Sequence, residues 1–561
     1  MPDIVLTTLN AKFIHTAFGL RGLFANLGEL QSRATIAEFD INQRPLDIAE
    51  ALLARLARRP PGRPGLAGNE ENAGPEAGAP PTQIIGFGIY IWNVGPATEV
   101  VALIRRVRPD IKIILGGPEV SHETDGQKIV ALADHVITGE ADLKFADVCR
   151  ELLNHETPPT PSLSPSDGER VAKPGEGTIL PKIIAAEPPD LAQLALPYDF
   201  YTDADLAHRI VYVEASRGCP FTCEFCLSSL GVPVRSVPLE KFLVAMQRLM
   251  DRGLKQFKFV DRTFNLNIAA SRAILEFFLA RYQPGMFFHF ELVPDRLPEA
   301  LREVIVKFPP GALQFEVGVQ TFNPQVGQNI RRRQNYEQLA DNLNFLRHRT
   351  NVHLHADLII GLPGETLESF AAGFDRLIAL GPQEIQVGIL KRLRGTTMDR
   401  HNADWRMVYD PQPAYEILQN RLIDFATMQR LRRLAKYWDL IGNSGNFIAT
   451  TPLILGKARA DQTANSPFAN FLRLSDWLYA KLNRTDSIAL ARLLELLFEF
   501  LTRERALDAR ATAEILWQDW QRGGRRDVPE FLREFLPAKT TAPAHAPKTS
   551  LPKRQARRLA A

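Results

Sequence analysis

Short apolar strands alternate with amphipathic helices twice along this chain, and that alternation leaves few architectures open. Neighbouring parallel strands need long crossover connections, which helices supply, and those helices then cover both faces of the sheet. The first run, residues 1–153, predicts a parallel sheet of this kind. Its predicted strands are 3–8, 34–38, 83–91, 111–115 and 135–138, and its predicted helices are 16–29, 46–57, 96–107, 124–133 and 143–153.

The second run covers residues 205–400 and contains six predicted strand–helix units. The strands are predicted at 210–215, 256–260, 286–292, 313–319, 353–360 and 384–390. A closed eightfold barrel usually needs about 250 residues, so this length favours a partial, open (β/α)6 barrel.

The rest of the chain predicts one more domain and three segments without a core. Helical periodicity dominates 405–535, including Ala414 to Tyr437, and predicts a helical domain. Segments rich in Pro, Gly, Ser and Glu at 60–82 and 154–181 predict a disordered insert within the first domain and a linker after it. The basic stretch 538–561 predicts a disordered tail.

Composition excludes several classes of protein. Charged residues make up 23% of the 561 residues. The sequence contains no run of 18 or more uncharged apolar residues, the length that a membrane-spanning helix needs. The first residues lack a signal peptide's basic flank and apolar stretch, so a cytoplasmic location is expected. The net charge of +3 gives no strong signal for nucleic-acid binding.

Three of the four cysteines, Cys219, Cys223 and Cys226, lie within eight positions, on the loop after the first barrel strand. Their number excludes a disulfide framework, and their spacing lets three thiolates hold one metal cluster with an open position. An iron–sulfur cluster is the leading interpretation. A structural zinc site would need a fourth ligand, for which His208 is an awkward candidate and Cys149 is distant in sequence. Three buried core thiols are the other alternative.

The Cys-x3-Cys-x2-Cys spacing, with Phe225 before the last cysteine and six strand–helix units around it, resembles the radical S-adenosylmethionine (SAM) superfamily. Membership implies a 4Fe-4S cluster held by the three cysteines, with SAM chelated to the open iron. It also implies that an electron from the cluster cleaves SAM to a 5′-deoxyadenosyl radical, that the protein is oxygen-sensitive, and that flavodoxin or ferredoxin supplies the electron.

The later strand ends are similar to the branch that includes oxygen-independent coproporphyrinogen oxidase and methylthiotransferases. The resemblance implies that polar or glycine positions at these strand ends, together with Phe225, contact the cofactor. These positions are Asp261, Glu291, Gln320, Arg332, Asp357 and Gly361. The alternative for any polar side chain among them is an ion-pair network that fills the barrel mouth.

In front of a radical-type barrel, the first domain resembles the Rossmann-like cobalamin-binding domain of B12-dependent radical enzymes. Residues expected at its strand ends, in contact with cobalamin, are Asn10, Tyr90, Asn93, Gly116, Gly117, Glu119 and Gly139. Taken alone, the Gly116-Gly117 pair is equally compatible with a simple turn. The Asp-x-His-x-x-Gly string that supplies a lower cobalt ligand is absent, so we expect His15 to be a loop residue and not a ligand.

Together these resemblances imply a cobalamin-dependent radical SAM enzyme that transfers a methyl group to an unactivated carbon of an unknown substrate. The helical C-terminal domain resembles an uncharacterised domain that often follows this pair. Two alternatives remain open at this point. One is a radical rearrangement, cyclisation or oxidation, and the other is a sensor that binds cobalamin and a cluster without turnover.

Overall fold

The computed structural model describes residues 2–56, 82–154, 180–230, 233–456, 466–536 and 551–559. The predicted insert 60–82 and linker 154–181 therefore lie almost entirely outside the described residues. The chain divides into two compact units. The first unit comprises residues 1–211 and 244–253, and the second comprises 212–243 and 254–561.

The first unit is built on a six-stranded sheet whose paired strands all run parallel, as the alternation predicts. Its strands are β1 (Ile4–Asn10), β2 (Ala34–Asp40), β3 (Ile84–Gly88), β4 (Lys112–Gly116), β5 (His135–Gly139) and β6 (Ile183–Ala186). The strand order is β2-β1-β3-β4-β5-β6. The order reverses between β1 and β3, and ligands of such sheets bind at the carboxyl ends of the strands on either side of this point.

Helices and two apolar cores cover this sheet. The helices are α1 (Phe18–Ala25), α2 (Pro45–Leu56), α3 (Val94–Val107), α4 (Lys128–Leu132), α5 (Lys144–Asn154) and α6 (Asp203–His208). One core contains Val5, Leu52 and Val101, and the other contains Leu6, Phe145 and Cys149, so alternate β1 side chains face opposite helical layers. Strand β6 was not predicted from the sequence.

The second unit begins with a six-stranded sheet in the order β14-β13-β12-β11-β10-β7, which confirms the predicted partial barrel. These strands are β7 (Val211–Val213), β10 (Gln256–Phe259), β11 (Phe287–Leu292), β12 (Leu313–Gln320), β13 (His353–Ile360) and β14 (Glu384–Ile389). A small antiparallel pair, β8 (Ser216–Arg217) and β9 (Arg235–Ser236), flanks the cysteine loop.

Helices follow these strands, and a phenylalanine cluster fills the sheet's interior. The helices are α7 (Leu239–Asp251), α8 (Ile268–Ala280), α9 (Glu299–Ile305), α10 (Pro324–Asn329), α11 (Tyr336–Arg349) and α12 (Leu367–Leu380). Phe259 and Phe290 pack with ring centroids 4.3 Å apart, and Phe264 lies 4.2 Å from Phe290. These rings support the strand ends that carry the candidate site.

The C-terminal region is mainly helical, with one departure from the prediction. Its helices are α13 (Asn402–Trp405), α14 (Phe425–Ile441), α15 (Thr451–Leu455), α16 (Pro467–Leu482), α17 (Leu490–Glu499) and α18 (Ala509–Arg522). The predicted helical stretch from Ala414 is wrong at its start, because β15 (Val408–Tyr409) and β16 (Ile417–Gln419) form an antiparallel pair there. The helix begins only at Phe425, where Asp424 accepts a hydrogen bond from the Thr427 N–H and caps it.

The predicted disordered tail is also wrong over 551–559, where Lys553–Leu559 form helix α19. Two carboxylates hold this helix. Arg554 lies 3.0 Å from Glu384 at the start of β14 and 2.9 Å from Asp439 of α14. Gln555 is buried and donates to Gln314. The rest of the predicted tail lies outside the described residues.

None of the helices in the described part of the chain is both long enough and apolar enough to cross a membrane.

Candidate functional site

The cysteine loop brings three thiols together at the carboxyl end of the barrel strands. Burial makes the largest contribution to the raised pKa of the Cys219 thiol. The charges of Cys226 and Cys223 raise it further, so the three side chains are close neighbours. Burial likewise raises the pKa of Cys223, while Arg332, whose Nη1 lies 3.6 Å from the Cys223 sulfur, acts in the opposite direction. Cys149, in contrast, is buried in α5 of the other unit.

The donor set fits an iron–sulfur cluster better than a single ion. Among the described residues, no three His, Cys, Asp or Glu side chains are arranged to ligate one metal ion, which gives the zinc alternative no support. A 4Fe-4S cluster needs no such convergence, because each cysteine binds a different iron.

The buried carboxylate of Glu224, between the second and third cysteines, anchors this loop. Its side chain is 1% exposed and contacts three cationic or titratable groups at 2.7–2.8 Å: Arg331, Arg400 and His401. Its N–H also donates to the Ile330 carbonyl. No spacing pattern in the sequence distinguishes Glu224, so the sequence prediction did not include it.

Asp261 lies under the loop, where it positions backbone. Its carboxylate accepts hydrogen bonds from the Ala215 N–H at 3.0 Å and from the Ser216 hydroxyl at 2.6 Å. Burial raises its pKa to about 7, although these hydrogen bonds oppose the shift. Both oxygens are therefore engaged in holding the segment that leads to Cys219, and direct cofactor contact by Asp261 receives no support from this geometry.

Glu291 and Gln320 lie at the ends of β11 and β12, as predicted. Glu291 pairs with Arg262 at 3.1 Å, so the ion-pair alternative applies to this residue. Gln320 has a φ of 68°, a left-handed conformation that non-glycine residues seldom adopt, at an irregularity in the pairing with β13. Such conformations concentrate at functional sites because the surrounding structure must hold them.

Arg332 and Asp357 carry the unsatisfied polar atoms of the site. Arg332 donates to the Gly318 carbonyl, but its Nε is buried without a hydrogen-bond partner. Asp357 is 17% exposed, and its Oδ1 accepts no hydrogen bond, although Nε2 of His355 lies 3.5 Å from it. Burial and the nearby carboxylates of Glu316 and Glu291 raise the pKa of Asp357 well above its usual range. A buried carboxylate of this kind suits a cationic or hydroxyl-bearing ligand.

Gly361 serves packing. With its φ of 89°, a Cβ there would lie 2.7 Å from a methyl group of Ile417 in β16. The glycine therefore permits close approach of the C-terminal region to the end of β13, and no cofactor contact needs to be invoked for it.

Polar side chains below the cysteine loop form a network that the sequence prediction did not include. His289 lies 3.1 Å from Glu316. Burial alone would raise the pKa of Glu316, but this hydrogen bond and the neighbouring His355 bring it down to about 2. The signal was available, because the strands 287–292, 313–320 and 353–360 alternate inward polar residues with apolar ones.

A cavity of about 1020 Å³ opens beside these groups. Phe225, Gln320 and Asp357 line one part of it, and residues of β14, α14 and the loop after α16 line the rest. The C-terminal region therefore completes the wall of the candidate site.

In the first unit, Asn10 and Asn93 follow β1 and β3 at the point where the strand order reverses, but both amides are used internally. Asn10 donates to Glu38 at 2.7 Å. Asn93 is fully buried, accepts from the Tyr90 N–H and donates to the Leu9 carbonyl at 3.1 Å. They shape the edge of the sheet, and their amides are not directed at a ligand.

Tyr90 presents a different surface at the same edge. Its ring stacks on Trp92 with centroids 4.5 Å apart and planes within 7°, and Trp92 is 45% exposed. The exposed Trp92 ring, backed by the half-buried Tyr90, suits the flat face of a large ligand.

The predicted glycines divide into two kinds. At Gly117 and Gly139, with φ of 108° and 80°, a Cβ would collide with backbone, the Ile89 carbonyl and the Ala186 carbonyl respectively. At Gly116 a Cβ would make an ordinary contact with the Ile137 carbonyl, 3.7 Å away, so of these three glycines only Gly116 has room for a Cβ without a clash. Glu119 is buried below this loop, and its carbonyl accepts from Gln127.

Comparison with known proteins matches two parts of the chain to protein families. Residues 213–377 match the radical SAM superfamily, and residues 403–551 match a family described as a protein of unknown function, DUF4080.

Two curated relatives match part of the chain. The "Uncharacterized methyltransferase PH0819" of Pyrococcus horikoshii is 24% identical over 52% of this chain and 62% of its own length. The "Cobalamin-dependent radical SAM methyltransferase TokK" of Streptomyces tokunonensis is 23% identical over 55% of this chain and 47% of its own length. The chain thus spans less than two thirds of these curated relatives.

Among solved structures, the "Cobalamin-dependent S-adenosylmethionine radical enzyme OxsB" matches with a TM-score of 0.54 at 14% identity, over 95% of this chain and 80% of that one. The chain therefore carries a radical SAM domain. Its fold is similar to that of this solved structure over most of both chains, with an α/β unit before the barrel and a helical region after it.

Proposed function

We propose that this protein is a cobalamin-dependent radical SAM enzyme that methylates an unactivated carbon of its substrate. The observation that carries the proposal is the group of three neighbouring thiols beside Arg332, whose charge also acts on Asp357, a carboxylate with one unsatisfied oxygen that lines the cavity with Phe225 of the cysteine loop. Relatives whose names include a methyltransferase activity favour methyl transfer over rearrangement or oxidation.

When bound, the 4Fe-4S cluster supplies the electron that cleaves SAM to a deoxyadenosyl radical, and cobalamin supplies the methyl group. Cys219, Cys223 and Cys226 hold the cluster in this proposal, while Gln320 and Asp357 bind polar groups of SAM. Glu224 keeps the loop in place. Because each of these groups is fixed by packing or by ion pairs before a ligand arrives, little ordering remains to be done on binding.

In the first unit, cobalamin would lie at the carboxyl ends of β1, β3 and β4. Its nucleotide tail would pass beside Gly116, and the Tyr90–Trp92 pair would flank its ring. No histidine is proposed as a cobalt ligand, and a reduced flavodoxin or ferredoxin is the proposed electron donor. A soluble cytoplasmic setting remains part of this proposal.

Anaerobic reconstitution with iron and sulfide tests the proposal. Changing any of the three loop cysteines to Ala should remove the brown cluster absorbance, whereas Cys149→Ala should keep it. The wild-type protein should then form deoxyadenosine from SAM and take up cobalamin. Protein that assembles the cluster but forms no deoxyadenosine under any reducing condition would favour the sensor alternative.

A further inference from the structure

We propose that the cavity of the second unit receives a substrate bearing a carboxylate or phosphate group, and that Arg433 of α14 binds that group. The inference rests on the proposed function, because it treats the cavity next to Gln320 and Asp357 as the substrate site. It adds the chemical class of the substrate, which neither the family matches nor the relatives supply.

The cavity wall combines acidic, amide and basic side chains. Asp357 and Gln320 line it, and α14 contributes Arg432, Arg433 and Lys436. At about 1020 Å³ it reaches the upper end of the range of small-molecule sites, about 300–1,000 Å³, so it can hold a substrate beside a cofactor.

Two of the charged residues that α14 places on this wall have partners of opposite charge. Arg432 pairs with Glu416 at 3.2 Å and donates to the Ile417 carbonyl at 2.9 Å. Asp439 pairs with Arg554 at 2.9 Å. Lys436 is exposed, and Asp486 lies exposed in the loop after α16.

Arg433 differs from the exposed Lys436 because it is half-buried, yet among the described residues no carboxylate lies within 4 Å of its guanidinium and no acceptor bonds to it. Its Nε is shielded from water without a partner. The guanidinium stacks over the ring of Tyr479, with its central carbon 4.2 Å from the ring centroid. The stacking fixes the plane of the cation at the cavity wall, which leaves its remaining N–H groups oriented for a ligand.

A half-buried guanidinium without a partner is suited to bind an oxyanion. Arginine stays charged at every physiological pH, and its planar fork matches the two oxygens of a carboxylate or a phosphate. Shielded polar groups without a partner cost free energy, and an anionic ligand would offset that cost on binding. Carboxylate and phosphate share this chemistry, so the test must separate them.

The test labels arginines of the reconstituted full-length protein with phenylglyoxal and maps the products by mass spectrometry. Arg433 should react, and either inorganic phosphate or succinate should slow its labelling several-fold at constant ionic strength set with chloride. The anion that protects at the lower concentration identifies the preferred group. Arg430 of the same helix, which pairs with Asp476, is the matched control and should show no protection.

Equal labelling of Arg433 with and without both anions would overturn the proposal, as would equal protection of Arg430. The labelling needs no substitution, so folding of a variant does not limit it. Failure here is also distinct from failure of the proposed function, because cluster absorbance and SAM binding are measured on the same preparation. In Arg433→Gln, cluster absorbance and SAM binding should persist. The wild-type protein should form extra deoxyadenosine when anion-exchange fractions of cell extract are added, and this increase should be lost in the variant.

Discussion

The Oε2 atom of Glu224 lies 2.8 Å from Nε2 of His401, and this contact ties the middle of the cysteine loop to the segment that leads into the C-terminal region. The two residues are 177 positions apart in sequence. Arg400 shares the same carboxylate oxygen, at 2.7 Å. The loop's position in the barrel therefore depends on residues beyond the last barrel strand, which gives the C-terminal region a structural part in the site.

Glu224→Gln should weaken cluster retention. Removing the charge leaves the buried His401 and two half-exposed arginines without their shared anion, and solvent screening of the arginines limits the loss to roughly 1 kcal/mol. The measurement is the rate of iron loss to a chelator after anaerobic reconstitution, which should rise. Glu276→Gln, which disrupts an exposed pair with Arg272 on α8, is the matched control and should lose iron at the wild-type rate. Equal rates in both variants would contradict the anchoring role.

Asp261 should make folding stability depend on pH. Its pKa in the folded protein is about 7, above the value of about 3.9 expected in the unfolded chain, so the folded state binds the extra proton between these values. The stability that this group contributes is thus complete below about pH 4 and is lost as the pH rises toward 7.

In Asp261→Asn, the fall in melting temperature between pH 4.5 and 7.5 should be smaller than in the wild-type protein, with the experiment on apo protein to avoid cluster loss. Glu276→Gln should keep the wild-type slope. Identical slopes for all three proteins would mean that Asp261 ionises normally.

The sequence predicted both sheets because each strand forms a short apolar run that needs no distant partner to be visible. It missed β6 and the β15–β16 pair, which have only two to four residues each and depend on their neighbours for hydrogen bonds. It also missed α19, whose basic residues look like a solvated tail until Glu384 and Asp439 are placed beside Arg554.

For the site, spacing along one loop was enough to predict the three cysteines, whereas roles that arise from tertiary contacts could not be assigned. Asp261 and Gly361 occupy predicted positions, but backbone hydrogen bonds and packing against Ile417 explain them. Glu224 contacts His401, 177 positions away, and no local sequence pattern predicts a contact over that separation. Arg433 lies in a helical stretch whose periodicity shows only that it is amphipathic.

Gly116 and Gly117 should respond differently to substitution. Gly117→Ala places a Cβ against the Ile89 carbonyl at a φ of 108°, so the melting temperature should fall. Gly116→Val meets no backbone atom closer than 3.7 Å from its Cβ, so the fold should persist while cobalamin uptake, followed by absorbance, should drop. Normal uptake by Gly116→Val would move the proposed cobalamin tail away from this strand end.

Arg554→Gln should lower stability, because it removes the cation that lies between Glu384 and Asp439. Glu384 is 6% exposed on its side chain, whereas Arg554 is 40% exposed, so solvent screening limits the loss to roughly 1 kcal/mol. Thermal melting provides the measurement. Lys553→Gln, an exposed neighbour on the same helix, should melt like the wild-type protein, and a matching drop in both variants would assign the effect to general loss of charge.

Asp357 gives a test of SAM binding that does not depend on turnover. Burial and two neighbouring carboxylates raise the pKa of Asp357 in the free protein, so this carboxyl keeps its proton to a higher pH than an ordinary aspartate does. A ligand ammonium group beside it would favour the ionised form, and the proton would leave on binding. Titration calorimetry in buffers of different ionisation enthalpy should therefore detect proton release when SAM binds, and the release should decline as the pH rises through the pKa of Asp357.

In Asp357→Asn, this proton release should vanish and SAM affinity should fall, by roughly 1–3 kcal/mol for a lost charge-assisted hydrogen bond. His355, 3.5 Å away, is the competing source of a proton, and burial lowers its pKa. His355→Gln should therefore keep most of the release. If the release persists unchanged in Asp357→Asn but disappears in His355→Gln, the carboxylate is only a member of the internal ion-pair network, and another group must hold the cofactor.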